Sequence, residues 1–198
     1  HVAFETHEDI LVRFEGDMTL PAQGPALSIA AAVYKGGVRV KTMDEFLGYA
    51  VQVEEDAANH FEELAAAMQA AGNADVAALF GQLAGYSRLH LAEAQAKCTR
   101  NAITPKLPPK SAWPENATPE KTTLWAGDAR LTRLGALKAA LQGERRGYEF
   151  YYAVAGTAKD AGIRAVAKEF VREEAEHVEK LKQWIAQEEA VLRSEVTA

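Results

Sequence analysis

The feature that most constrains this chain is where its prolines fall. Five of the seven, Pro105, Pro108, Pro109, Pro114 and Pro119, crowd into residues 101–127. A proline inside a helix removes a backbone donor and clashes with the preceding turn, so continuous helix is not expected again until about Leu131. On either side, turn residues bound four long helical stretches. The first opens at Thr42-Met43-Asp44-Glu45, a capping-box pattern in which a hydroxyl and a carboxylate satisfy unpaired backbone N–H groups. It runs to about Ala71 and stops at Gly72-Asn73. The second spans about Ala74 to Arg100, and the short turn makes it antiparallel to the first. A third runs from about Leu131 to about Lys159, and a turn at Asp160-Ala161-Gly162 leads into a fourth that ends near Leu192. The expected fold is all-α: a four-helix bundle over residues 42–198, built as two antiparallel hairpins joined by a long crossover at 101–130. Residues 1–41 form an N-terminal arm, with a short strand over Asp9 to Glu15 and loop over Gly16 to Pro25, assigned to packing or dimer contact.

Composition narrows the function classes. An apolar fraction of 48% with 25% charged residues is that of a folded globule. The net charge of -6 offers no concentrated basic surface, which argues against nucleic acid. Cys98 is the single cysteine, so neither an intrachain disulfide nor a four-cysteine metal knuckle can form, and a reducing, cytoplasmic setting fits. The longest apolar run, Ala26 to Tyr34, is too short to span a bilayer. No signal-peptide leader is read, although a chain opening on His1 leaves targeting open.

The chemistry lies in polar residues on apolar faces. In the first helix, Glu54 shares a stripe with Leu47, Ala50, Val51, Ala57, Ala58 and Phe61, whereas Glu55, Asp56 and His60 share the outer faces. In the second, Phe80, Leu83, Ala84, Leu91 and Ala94 define a face that also holds Ser87 and His90. The third surrounds Glu144 with Leu137, Ala140, Leu141, Tyr148, Tyr151 and Ala155, and leaves Glu149 with Arg145 and Arg146 as a surface ion pair. In the fourth, Glu174 and His177 point about 60° apart on one face, among Ala167, Phe170, Val171, Val178, Leu181 and Ile185.

Any one of these residues has a structural explanation, but three carboxylates and two histidines would converge on one core. An unpaired buried carboxylate costs several kcal/mol, and the inward faces carry no lysine or arginine. A bound metal resolves this. Carboxylate oxygens with imidazole nitrogens suit iron, with manganese or zinc as alternatives.

These residues resemble the ferritin-like di-iron carboxylate proteins, most closely the rubrerythrin family without its rubredoxin module. The likeness covers residues 43–190. It is carried by Val53-Glu54-Glu55-Asp56-Ala57-Ala58 with Phe61, by Gly143-Glu144 with Tyr148 through Tyr152, and by Glu173-Glu174-Ala175-Glu176-His177. The two halves look duplicated, Glu54 matching Glu144 and His90 matching His177. The resemblance implies Glu54, His90, Glu144, Glu174 and His177 as metal ligands. It fails at Ser87, which stands where the family has the second-helix Glu of Glu-x-x-His, and at Gly147, which stands where full rubrerythrins add a third-helix Glu. Three carboxylates would leave two divalent ions with one uncompensated positive charge, so the resemblance implies either an asymmetric iron pair or a single ion.

The function implied by this likeness is that of an oxidoreductase acting on hydrogen peroxide or dioxygen, with Tyr148 and Tyr151 as candidate donors of hydrogen bonds or electrons. No Cys-x-x-Cys pair is present, so an external electron donor is expected, and the family likeness implies a homodimer. The alternatives are ferrous iron oxidation and handling, or a non-catalytic bundle whose metal site has decayed, for which Ser87 is the main argument.

Overall fold

A computed structural model describes residues 40–121, 128 and 130–196. The expected N-terminal arm, with its strand and loop, lies outside the described residues apart from Val40 and Lys41. Four helices appear among the described residues: α1 (Met43–Ala70), α2 (Ala74–Arg100), α3 (Arg133–Thr157) and α4 (Ala161–Val196). Two short 3-10 turns, Lys110–Ala112 and Pro114–Asn116, lie in the crossover. Among the described residues there is no strand, and no helix is long and apolar enough to cross a membrane. The architecture is an all-α ferritin-like four-helix bundle.

The helix ends follow from capping. Thr42 Oγ1 accepts from the Glu45 N–H at 3.4 Å, while the Glu45 carboxylate accepts from the Lys41 N–H at 2.9 Å, one residue before the position a standard capping box uses. Asn73 caps α2 through the Val76 N–H, and Gly72, at φ 78°, supplies the left-handed residue between the helices. Thr132 accepts from the Gly135 N–H at 3.1 Å, which starts α3 two residues later than the periodicity suggests. The Asp160 carboxylate accepts from the Ile163 N–H at 2.9 Å. Asp160 is therefore a cap, and Ala161 and Gly162 already belong to α4, which continues to Val196 rather than ending near Leu192.

Packing pairs α1 with α2 and α3 with α4. The core divides into two apolar clusters. One gathers Phe46, Leu47, Val53, Leu91, Phe150, Tyr151, Ile163, Phe170 and Val171; the other gathers Phe61, Leu64, Met68, Leu79, Phe80, Leu83, Leu137 and Leu181. On every helix the chain passes from one cluster to the other across a polar residue: Glu54 on α1, Ser87 on α2, Glu144 on α3 and Glu174 on α4.

The crossover lies against the bundle. Trp113, 4% exposed, sits edge-on to Tyr49 at 4.9 Å and donates its indole N–H to the Gln52 side chain at 2.9 Å. Upstream, the Lys106 N–H donates to the Asp44 carbonyl, and a Cβ added at Gly48 would collide with the Lys106 carbonyl group. Gly48→Ala is expected to destabilise the protein by about 2 kcal/mol, because a backbone carbonyl cannot yield as a side chain can. Gly81→Ala, where a Cβ meets nothing within 4 Å, is expected to stabilise by roughly 0.5–1 kcal/mol through helix propensity. Urea unfolding of the two variants checks both signs.

Candidate metal centre

The polar layer between the two apolar clusters is a cluster of carboxylates. Glu174 is 1% exposed, Glu54 3% and Glu120 4%, and Glu144 is 12% exposed. Ligand atoms of Glu144, Glu174 and His177 all lie within 4.8 Å of one another, as do those of Glu54, Glu120 and Glu174. Glu174 belongs to both groups. His177 Nδ1 stands 3.1 Å from a Glu144 carboxylate oxygen and 3.8 Å from Glu174. His90, the remaining expected ligand, belongs to neither group: its ring centroid is 4.3 Å from that of His177, and its Nδ1 stands 3.9 Å from Glu93.

Glu120 is the residue that helical periodicity misses, since it lies in the crossover. Three features hold it in place. Arg146 donates to the Pro119 carbonyl at 2.6 Å and to the Lys121 carbonyl at 3.2 Å, gripping the chain on both sides of Glu120. Gly143 opens α3 to the crossover backbone, since a Cβ there would come within 2.9 Å of the Glu120 carbonyl oxygen. Gly147 opens it to the side chain, since a Cβ there would come within 2.7 Å of Glu120 Oε1 and 3.1 Å of Glu174 Oε2. The sequence does hold a signal: Gly143 and Gly147 flank Glu144 one helical turn apart, on a helix where each glycine costs stability. Arg146 thereby serves the crossover carbonyls instead of simply forming a surface pair with Glu149.

Burial pushes Glu54 well above the usual carboxylate range, and the negative charge of Glu174 adds to it. Glu120 is raised in the same way by burial and by Glu54. Burial also lifts Glu174 to about 8, against the pull of His177. Desolvation would raise Glu144 too, but the His177 imidazole beside it holds it below the ordinary value. Burial would lower His177, yet Glu144 lifts it well above the normal imidazole range. His177 and Glu144 thus form an ion pair, while the remaining carboxylates are held toward the protonated form because burial outweighs the pull of His177 on them.

The other expected site residues divide. Ser87 is buried and donates its hydroxyl to the Leu83 carbonyl of its own helix at 3.3 Å, and it brings no carboxylate to the layer. Tyr151 is fully buried among Phe46, Phe150 and Phe170, stacked on the last at 4.8 Å. Its hydroxyl has no hydrogen-bond partner, and its acidity is suppressed by burial and by Glu54, Glu174 and Glu120. Tyr148 instead stacks on Tyr152 at 5.8 Å and is partly exposed.

These residues fit a cation. Glu120 Oε1 and Glu174 Oε2 are buried with no hydrogen-bond partner, and among the described residues no lysine or arginine ion pair reaches Glu54, Glu120, Glu144 or Glu174. Lys97 is engaged with Glu169 at 2.9 Å and Glu173 at 3.9 Å. Carboxylates with one or two imidazoles form a donor set that could hold metal ions.

No family model and no curated protein matches the chain. Its structure is similar to the crystal structure of an uncharacterized conserved protein from Magnetospirillum magnetotacticum MS-1, with a TM-score of 0.57 and 34% sequence identity. The match covers 74% of this chain and 95% of that one.

The metal-free protein is expected to lose stability as pH rises. Glu174 titrates at about 8 when folded against 4.5 in its ordinary state, so the folded chain holds a proton that the unfolded chain releases. The stability this brings is complete below about 4.5 and is lost as pH rises toward 8. Glu54, Glu120 and His177, all raised, act with the same sign; Glu144, lowered, acts oppositely and only in acid. Urea titrations in chelator are expected to show lower stability at about pH 8 than at about pH 5. Added metal is expected to flatten or reverse this slope by displacing the protons.

Proposed function

We propose, for a chain that belongs to the conserved family of the Magnetospirillum protein, that it is a rubrerythrin-like non-haem iron oxidoreductase that reduces hydrogen peroxide, with electrons from an external donor. The observation that supports this reading is the buried carboxylate layer, in which four side chains converge and, among the described residues, no cationic side chain joins them beyond the two histidines. A packed core would be expected to lose such groups, because each unpaired one costs several kcal/mol.

When bound, a pair of iron ions supplies two electrons and Lewis acidity; the chain's own residues supply ligands, protons and exclusion of water. Glu144 fixes the orientation of the His177 ring through the 3.1 Å contact at Nδ1. Glu54, Glu120 and Glu174, all raised, hold protons that they release as cations enter. Tyr151, whose hydroxyl is buried and unpartnered, keeps its proton and can donate a hydrogen bond into the layer. The balance is simple: one peroxide, two electrons and two protons give two waters. The two apolar clusters on either side keep bulk water from the layer.

The reading is tested by loading the protein with ferrous iron in the absence of oxygen and adding hydrogen peroxide. Oxidation faster than that of free ferrous ion, with repeated turnover when a reductant is supplied, is the expected result; a rate equal to free ferrous ion would exclude it. Tyr151→Phe is expected to retain iron and slow the peroxide step by about tenfold, the loss of one hydrogen bond of roughly 1–1.5 kcal/mol. Glu144→Ala is expected to lose iron outright, by elemental analysis of the dialysed protein.

A further inference from the structure

We propose that Glu120, carried by the crossover and not by any helix, is a metal ligand that occupies the space left open at Gly147 and so makes up the carboxylate count lowered at Ser87, making one half of the centre dependent on the docked crossover. This rests on the metal-binding reading above and specifies how its site is built.

For two divalent ions, the charge count leaves room for a fourth carboxylate. Glu54, Glu144 and Glu174 offset three of the four positive charges of two divalent ions, and the Ser87 hydroxyl, bonded to its own helix at 3.3 Å, contributes none. Glu120 supplies the fourth. It is 4% exposed, its Oε1 has no partner, and its carboxylate lies within 4.8 Å of Glu54 and Glu174.

The route by which it enters is built into α3. Glu120 Oε1 stands 2.7 Å from where a Gly147 Cβ would be, so the side chain from the crossover fills the space that a side chain at position 147 would occupy. Gly143 admits the backbone, and Arg146 holds the carbonyls on either side at 2.6 and 3.2 Å. An acidic residue without a role at the site would not need this arrangement, because a solvated position costs nothing. Here a carboxyl group is delivered against three other carboxylates, an arrangement whose ionised form a bound cation makes favourable.

The centre then has two unequal halves. Glu144, Glu174 and His177 are held by α3 and α4, while Glu54, Glu120 and the shared Glu174 form the other half, whose middle member is tethered by the crossover.

The experiment is anaerobic equilibrium dialysis of the full chain with ferrous iron, comparing wild type with Glu120→Gln and Glu120→Ala, each checked for helix content and thermal unfolding. Wild type is expected to bind two ions and both variants one, with the lost site weakened about tenfold or more, since even partners one shell removed from a metal are worth that much. Hydrogen exchange gives a second readout: iron is expected to slow exchange over residues 113–121 in wild type and not in Glu120→Gln. Unchanged stoichiometry, affinity and exchange in both variants would overturn the role of Glu120 while leaving the metal reading intact. A wild type that binds no iron would overturn both.

Discussion

Four carboxylates share a layer of the core in which the dielectric is low and, among the described residues, no lysine or arginine reaches them. Each would cost several kcal/mol if ionised alone, so protons or cations must accompany them, and the rest of the molecule is arranged around that requirement. The layer separates two apolar clusters, one led by Phe46, Phe150 and Phe170 and the other by Phe61, Phe80 and Leu137. Those clusters hold the four helices at a spacing that brings Glu54, Glu144 and Glu174 face to face. The same clusters exclude the water that would otherwise solvate the carboxylates. The stability of the packing and the cost of the polar layer therefore have one origin.

Two glycines on α3 serve this layer. Gly143 and Gly147 sit in the interior of a helix, where each costs roughly 0.5–1 kcal/mol relative to alanine. What they provide is access. One lets the crossover backbone lie against the helix, and the other lets the Glu120 side chain pass into the core. The Arg146 grip on Pro119 and Lys121 offsets part of the conformational entropy lost by a proline-rich segment with little regular structure of its own. Trp113, wedged beside Tyr49 and Phe150, anchors the same segment on α1 and α3.

How much of this was legible in the sequence depended on whether a residue's surroundings were set locally. Periodicity and caps placed all four helices, because helical spacing and the side chains of Thr42, Asn73, Thr132 and Asp160 act within a turn or two. Glu54, Glu144, Glu174 and His177 were readable for the same reason: each lies on an apolar stripe of its own helix. Glu120 was not, since its burial is decided by a contact with α3 more than twenty residues away and the prolines around it give no period to read. The tyrosines show the limit of a helical wheel. Tyr148 and Tyr151 are three residues apart and nominally share a face, yet one stacks on Tyr152 at the rim and the other lies fully buried among phenylalanines, because the edge of a stripe is set by neighbouring helices.

The unequal tethering of the two groups has a consequence for the order in which they become competent. Glu144, Glu174 and His177 are fixed by two helices packed along their length, so the positions in that half are preorganised, and His177 must give up its proton before it can bind a metal. Glu54 and Glu120 carry protons, and Glu120 rests on a segment held by two carbonyl contacts and an aromatic anchor. A cation in the preorganised half would displace the Glu174 proton and place positive charge beside the other half, which Glu174 also joins. That charge would favour the ionised form of Glu54, which burial disfavours. Filling one half therefore eases deprotonation in the other, and the shared carboxylate couples the two sites without any movement of the helices.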